Sequence, residues 1–112
     1  MLPKKYRLPL RTELKRVKKE GRLIQGKLFS LQVSKSSKSQ PTRFGFIISS
    51  KIHKKAVKRN RVKRLLSETI MTLKIKPSFD VVFLAKKKII NVDDQEIRAE
   101  IKKLFLKVGV IE

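Results

Sequence analysis

From Gly21 through Ser67 the chain carries not one Asp or Glu. Cations crowded into such a span have no local counter-charge. Only the apolar residues between them can build an interior. The imbalance runs through the whole chain: 30 Lys and Arg stand against 9 Asp and Glu, a net charge of +21 on 112 residues. That length allows one domain, residues 1–112, with one modest core.

So many like charges on one small body repel each other, and a polyanion relieves the repulsion. Nucleic acid is the first candidate and an anionic membrane the second. Against the membrane, no apolar stretch approaches the roughly 20 residues of a spanning helix, and the charged start Met1-Leu2-Pro3-Lys4-Lys5-Tyr6-Arg7 lacks the apolar run of a secretory signal. The absence of cysteine excludes a disulfide framework and a thiolate metal site, and it fits a reducing cytoplasm. Disorder would suit the charge, but Ile, Leu, Val and Phe recur in periodic blocks that a solvated tail would not need.

The blocks predict an order of helix, strands, helix, strand, helix. Residues 1–10 read as an extended basic arm, with Pro3 and Pro9 discouraging helix. A short helix follows, N-capped by Thr12 and stopped by Gly21, with Leu14 and Val17 on one face and Lys18 one turn after Leu14. Lys27 to Val33 alternates as a half-buried strand: Phe29, Leu31 and Val33 point one way, Ser30 and Gln32 the other. The polar stretch Ser34 to Pro41 reads as a loop joining two antiparallel strands. Arg43 to Ser50 is the second of these, with Phe44, Phe46 and Ile48 inward. The longest helix spans about Lys54 to Leu73, buried along Val62, Leu65, Leu66, Thr69, Ile70 and Leu73. Asp80 to Ala85 is nearly all apolar, as a strand buried on both faces would be. Asp93 with Glu96 gives capping-box spacing for a last helix, whose stripe is Ile97, Ile101, Leu104, Phe105 and Val108. Helices packed on a small mixed sheet make an α+β sandwich.

The residues offer no catalytic constellation. His53 is the only histidine, and a lone histidine in a basic loop reads as polar surface. Asp93, Asp94 and Glu96 are explained by a helix start, where negative charge is favoured. Glu68 has Arg64 one turn earlier as a partner, and Asp80 reads as a strand start. A two-metal nuclease would need several acids from different elements around one cleft.

The basic distribution says more. Lys51-Ile52-His53-Lys54-Lys55-Ala56-Val57-Lys58-Arg59-Asn60-Arg61-Val62-Lys63-Arg64 has only Glu68 nearby to offset it. A merely solvated helix face would mix signs. Each cation here gains from a phosphate and from counterion release. Arg adds bidentate reach to phosphate oxygens, and Asn60 adds a neutral donor and acceptor for a base edge or ribose hydroxyl. Arg59, Arg61 and Arg64 cannot share one narrow face, so they are expected to wrap a wide arc opposite the buried stripe.

Lys58-Arg59-Asn60-Arg61-Val62-Lys63-Arg64-Leu65-Leu66 resembles the Arg-Asn-Arg signature of the protein subunit of bacterial ribonuclease P. Arg43-Phe44-Gly45-Phe46 with Ser49-Ser50-Lys51 resembles the family's strand entering the signature helix. Asp80 to Lys86 resembles the strand after it, and Arg7-Leu8, Leu14, Val17 and Gly21 fall at the spacing of its first helix. The resemblance covers nearly the whole chain. It implies a left-handed strand-helix-strand crossover around the signature helix. It implies, too, a protein that binds a catalytic RNA and the 5′ leader of precursor tRNA, with no DNA partner, while the RNA and its magnesium ions remove the leader. Carried over, Lys51, Lys55, Lys58, Arg59, Asn60, Arg61, Lys63 and Arg64 would contact the catalytic RNA. Leu14, Lys18, Ser30, Gln32 and Arg43 would line the leader cleft. No protein residue would be catalytic or hold a metal alone. This chain departs from the family at Leu14 and Lys18, usually aromatic, at Gln32, often aromatic, and at Ser67, often Arg. Its leader cleft is therefore expected to rely on phosphate contacts more than on stacking. A small ribosomal protein and a stand-alone metal-dependent nuclease are the competing readings.

Overall fold

The apolar run near residue 80 becomes the strand against which the rest of the chain is organised. A computed structural model describes residues 2–36 and 40–112. In chain order its elements are α1 (Leu10–Glu20), β1 (Arg22–Ile24), β2 (Phe29–Lys35), β3 (Arg43–Ile47), α2 (Ala56–Met71), β4 (Phe79–Ala85) and α3 (Asp94–Val108), with 3₁₀ turns at Lys4–Tyr6 and Lys87–Asn91. The four strands form one mixed sheet in the order β1-β2-β4-β3. β2 pairs antiparallel with β4, Leu31 opposite Phe83, and β3 pairs parallel with β4, Phe46 opposite Phe83. The α+β architecture is the one expected. β2 and β3, however, are not partners, because β4 lies between them. A parallel β3–β4 pair needs a crossover, and α2 supplies it.

One sheet face carries the main core. Phe29, Leu31, Val33, Phe44, Val81 and Phe83 meet Val62, Leu65, Leu66 and Ile70 of α2 and the predicted α3 stripe. The Phe83 ring sits 5.1 Å from Phe29, 5.3 Å from Phe46 and 5.8 Å from Phe105. Tilted pairs at these spacings add packing energy beyond area burial. On the opposite face α1 seats Val17 on Val82 beside Leu8, ringed by Leu10, Leu14, Ile47 and Leu84. With both faces covered, β2 is buried from Phe29 to Ser34. It is therefore not the half-exposed strand that its alternation suggests, and it runs two residues later at both ends.

Other expectations shift at the edges. α1 starts at Leu10, not after Thr12: the Pro9 carbonyl accepts from the N–H groups of Thr12 and Glu13 at 3.2 and 3.0 Å, so Thr12 already lies in the first turn. The N-terminal segment is not a free arm. Leu2 and Leu8 are buried, and the Leu8 N–H donates to the Phe44 carbonyl at 2.9 Å, which covers the β3 edge. β1, unread in the sequence, is only three residues long and mostly exposed. Gly21 closes α1 without a left-handed turn. Its need for no side chain comes from crowding, since a Cβ would stand 2.5 Å from the carbonyl oxygens of Val17 and Val33. β3 ends at Ile47 rather than Ser50, and α2 spans 56–71 rather than 54–73. Asp93 caps α3 as predicted, its carboxylate accepting from the Glu96 N–H at 2.9 Å. Of the polar stretch between β2 and β3, residues 37–39 lie outside the described residues.

Candidate nucleic-acid interface

α2 presents its cations in three different situations. Val62, Leu65, Leu66, Thr69 and Ile70 anchor the helix to the core, so Lys58, Asn60 and Arg64 stand exposed. Among the described residues the side chains of Lys51, Lys55, Lys58, Asn60, Lys63 and Arg64 have no ion-pair or hydrogen-bond partner. Arg59 turns back instead: its Nη1 donates to the carbonyls of His53 at 2.7 Å and Lys54 at 3.1 Å, stitching the preceding loop to the helix. His53 takes part through Nδ1, which accepts from the Lys55 N–H at 3.1 Å. Arg61 leans to α3 and pairs with Asp94, both side chains partly exposed. The arginines thus do not form one outward arc, because two of the three are drawn aside by protein partners. Asp94 correspondingly does more than favour a helix start. The anticipated Arg64–Glu68 pair is absent among the described residues, leaving both side chains exposed. The first turn of α2 holds no acid, and no side chain caps it.

The residues assigned to a leader cleft all lie on the α1 side of the sheet, but not in one place. Ser30 and Gln32 share that face with Leu84 and Val82. Both are buried, and the Ser30 hydroxyl donates to the Gln25 side chain at 2.8 Å. Leu14 is half-buried in the small apolar cluster, and Lys18 is exposed one turn on. Arg43 stands apart. Its register partner is Asp80, opposite Ser34, four residues along β2 from Ser30, or roughly 13 Å at ordinary strand rise. Its guanidinium is engaged there, Nε to Asp80 Oδ1 at 3.0 Å and Nη2 to Oδ2 at 3.1 Å.

An ionic knot forms around Asp80. Asp80 is completely buried, and Arg16 of α1 reaches it from above while also pairing with Glu13 at 3.0 Å and Glu20 at 3.2 Å. Partial burial works against the Arg16 charge, but the hydrogen bonds it donates to Asp80, Glu13 and Glu20 outweigh it and hold the guanidinium above its ordinary range. The Glu13-Arg16-Glu20 spacing was a readable signal of helix pairing. The strand carboxylate completing it was not, because the link spans 64 residues. Asp80 is thus occupied by two arginines, and it is the second residue of β4 rather than its first. Among the described residues no three of His, Asp and Glu gather into a group that could hold a metal ion, and no helix is long and apolar enough to cross a membrane.

These features define a class: a small cation-rich α+β protein with uncompensated positive charge on its crossover helix. The family model of ribonuclease P matches residues 2–109, and the chain belongs to that family. It is 30% identical to the ribonuclease P protein component of Symbiobacterium thermophilum, over 99% of this chain and 97% of that one. To the component of Caldanaerobacter subterraneus subsp. tengcongensis it is 35% identical, over 100% and 97%. The ribonuclease P protein of Thermotoga maritima, solved in complex with 1-(4-fluorophenyl)-2-thiourea, superposes with a TM-score of 0.79 at 30% identity, covering 88% of this chain and 95% of that one. The Staphylococcus aureus protein shares the fold, with a TM-score of 0.85 at 20% identity over 96% and 98%. Membership places the chain in ribonuclease P, an enzyme of tRNA processing.

Proposed function

We propose that this chain grips the catalytic RNA of ribonuclease P with α2 and the loop before it, and steadies the 5′ leader of precursor tRNA along α1 and the sheet face beneath. The observation that carries this reading is the row of side chains at Lys51, Lys55, Lys58, Asn60, Lys63 and Arg64 that have no partner among the described residues. Cations at this density, on the helix and the loop before it, suit a phosphate backbone, with counterion release as the driving force. Arg59 and Arg61 join once RNA competes for their present partners, and both retain further N–H groups to donate. In the leader cleft Lys18 supplies charge and Leu14 a small apolar surface, while the buried Ser30 and Gln32 shape the floor. Arg43 acts here through Asp80, holding α1 in place, and not by touching RNA.

In this reading the magnesium ions belong to the RNA. Held there, such ions activate water and stabilise a leaving oxygen. The protein's part is to bind and orient. Reconstitution with the cognate RNA tests it: at low magnesium, precursor-tRNA cleavage should need the protein, and the protein with magnesium alone should cleave nothing. Cleavage by protein without RNA, or co-purification with ribosomal RNA instead of ribonuclease P RNA, would overturn it.

A further inference from the structure

Hollows on this surface differ in whether the cations beside them are neutralised. Arg16 and Arg43 line one together with Glu13 and Asp80; Arg22 and Lys35 line another beside Glu20. Lys74 and Lys76 share a third with Glu112, and the hollow around Tyr6 and Met71 holds no cation. One is different. Between the N-terminal segment, β3 and α2 lies a hollow of about 170 Å³ whose lining includes Arg7 and Lys63 and no acid.

Its walls are apolar, with Leu8, Leu10, Phe44 and the half-buried Phe46 among them. Gly45 lets Leu10 close in as a wall: a Cβ there would stand 2.6 Å from Leu10 Cδ2 and 3.0 Å from its Cγ, so a side chain at this position would displace the Leu10 side chain. Ser67, short and buried, keeps the α2 side open, its hydroxyl donating to the Lys63 carbonyl at 2.9 Å. Arg7 is fixed at one nitrogen, Nε donating to the Leu2 carbonyl at 2.7 Å, which leaves its Nη groups to bind elsewhere. Neither Arg7 nor Lys63 has an acidic partner among the described residues.

We infer that this hollow takes one unpaired nucleotide of the RNA partner, its base against Leu10 and Phe46 and its phosphate between Arg7 and Lys63. The inference rests on the RNA reading above. A volume of roughly six waters, at about 30 Å³ each, suits a single base and excludes a duplex. An apolar wall with an aromatic ring beside paired cations is the combination that holds single-stranded RNA: rings stack bases and cations follow the backbone. Negative charge is selected because the lining carries two cations and no acid. Three stretches far apart in sequence build it, so no linear motif announces it.

The test is photo-cross-linking of the full chain to a 4-thiouridine pentamer, with the linked peptides mapped by mass spectrometry. A cross-link should map to Leu8–Leu10 or Phe44–Phe46. It should fall about fivefold or more in the Arg7→Gln/Lys63→Gln double variant, whose changes lie at the rim and spare the core. Ser67→Leu, which pushes its added atoms into the hollow, should remove it as well; if that variant fails to fold, the double variant alone decides. A pentamer that binds but cross-links only elsewhere, a cross-link indifferent to Arg7 and Lys63, or no binding at low salt would each overturn the assignment. Assembly with ribonuclease P RNA, measured on the same preparations, separates the two readings. For the wild-type chain, intact assembly without the cross-link breaks only this one; no assembly breaks the one beneath it.

Discussion

Two arginine clusters in this small protein have opposite fates. On the α1 side, Arg16 and Arg43 close on a buried carboxylate with Glu13 in support. On α2, among the described residues, Arg64 and its lysine neighbours meet no acid, Arg61 meets one partly exposed acid, and Arg59 meets only carbonyls. The same residue type serves as an internal clamp in one place and as an open surface in the other. Counter-charge and burial make the difference: a guanidinium beside Asp80 is spent, whereas one facing water is available to a phosphate.

The largest effect should come from cutting the clamp. Asp80→Ala leaves two partly buried guanidinium groups without their shared carboxylate and should lower unfolding free energy by about 3 kcal/mol in a urea titration. Magnesium-dependent cleavage at saturating RNA should survive, because the residue works on α1 and not on the reaction. A loss below about 1 kcal/mol would make the clamp incidental. The Arg16 charge itself should add no pH dependence near neutrality. Its raised pKa means that its contribution is complete below the unfolded value and fades only as pH climbs beyond about 12.

Lys18→Phe comes next. It exchanges a phosphate partner for a stacking surface, so the preference of the holoenzyme for precursor over mature tRNA should become less salt-dependent by about one unit of slope. An unchanged slope would remove Lys18 from the leader. Asp94→Asn sharpens the intermediate case of Arg61. Releasing that guanidinium should tighten RNA assembly about threefold, in the range expected of an exposed pair; weaker assembly would mean that Asp94 holds Arg61 in its bound position. Smallest of all is Glu68→Ala, which should change stability by no more than about 0.5 kcal/mol.

Periodicity made the α2 and α3 stripes and the β4 run legible, because each is a local pattern tied to one buried face. The basic helix was legible for the same reason, as a run. What escaped depends on pairing between distant residues. Nothing near Asp80 announces that Arg16 and Arg43 converge on it, so Arg43 read as part of a cleft. The burial of Ser30 and Gln32 needed α1 and Gln25 in place, and polar alternation by itself reads as exposure. The short β1 strand has too few residues for a period. Leu2 and Leu8 look like parts of a basic arm until the β3 edge beneath them is known.

The contrast between clamp and surface is tested most directly by the salt dependence of assembly with the cognate ribonuclease P RNA, compared for wild type, Arg64→Ala and Arg43→Ala under conditions where all three are folded. Arg64→Ala should weaken assembly and reduce the slope of log affinity against log salt by about one unit, while Arg43→Ala should leave the slope at its wild-type value. A slope that falls for Arg43→Ala and holds for Arg64→Ala would put the RNA on the other side of the molecule and contradict the account.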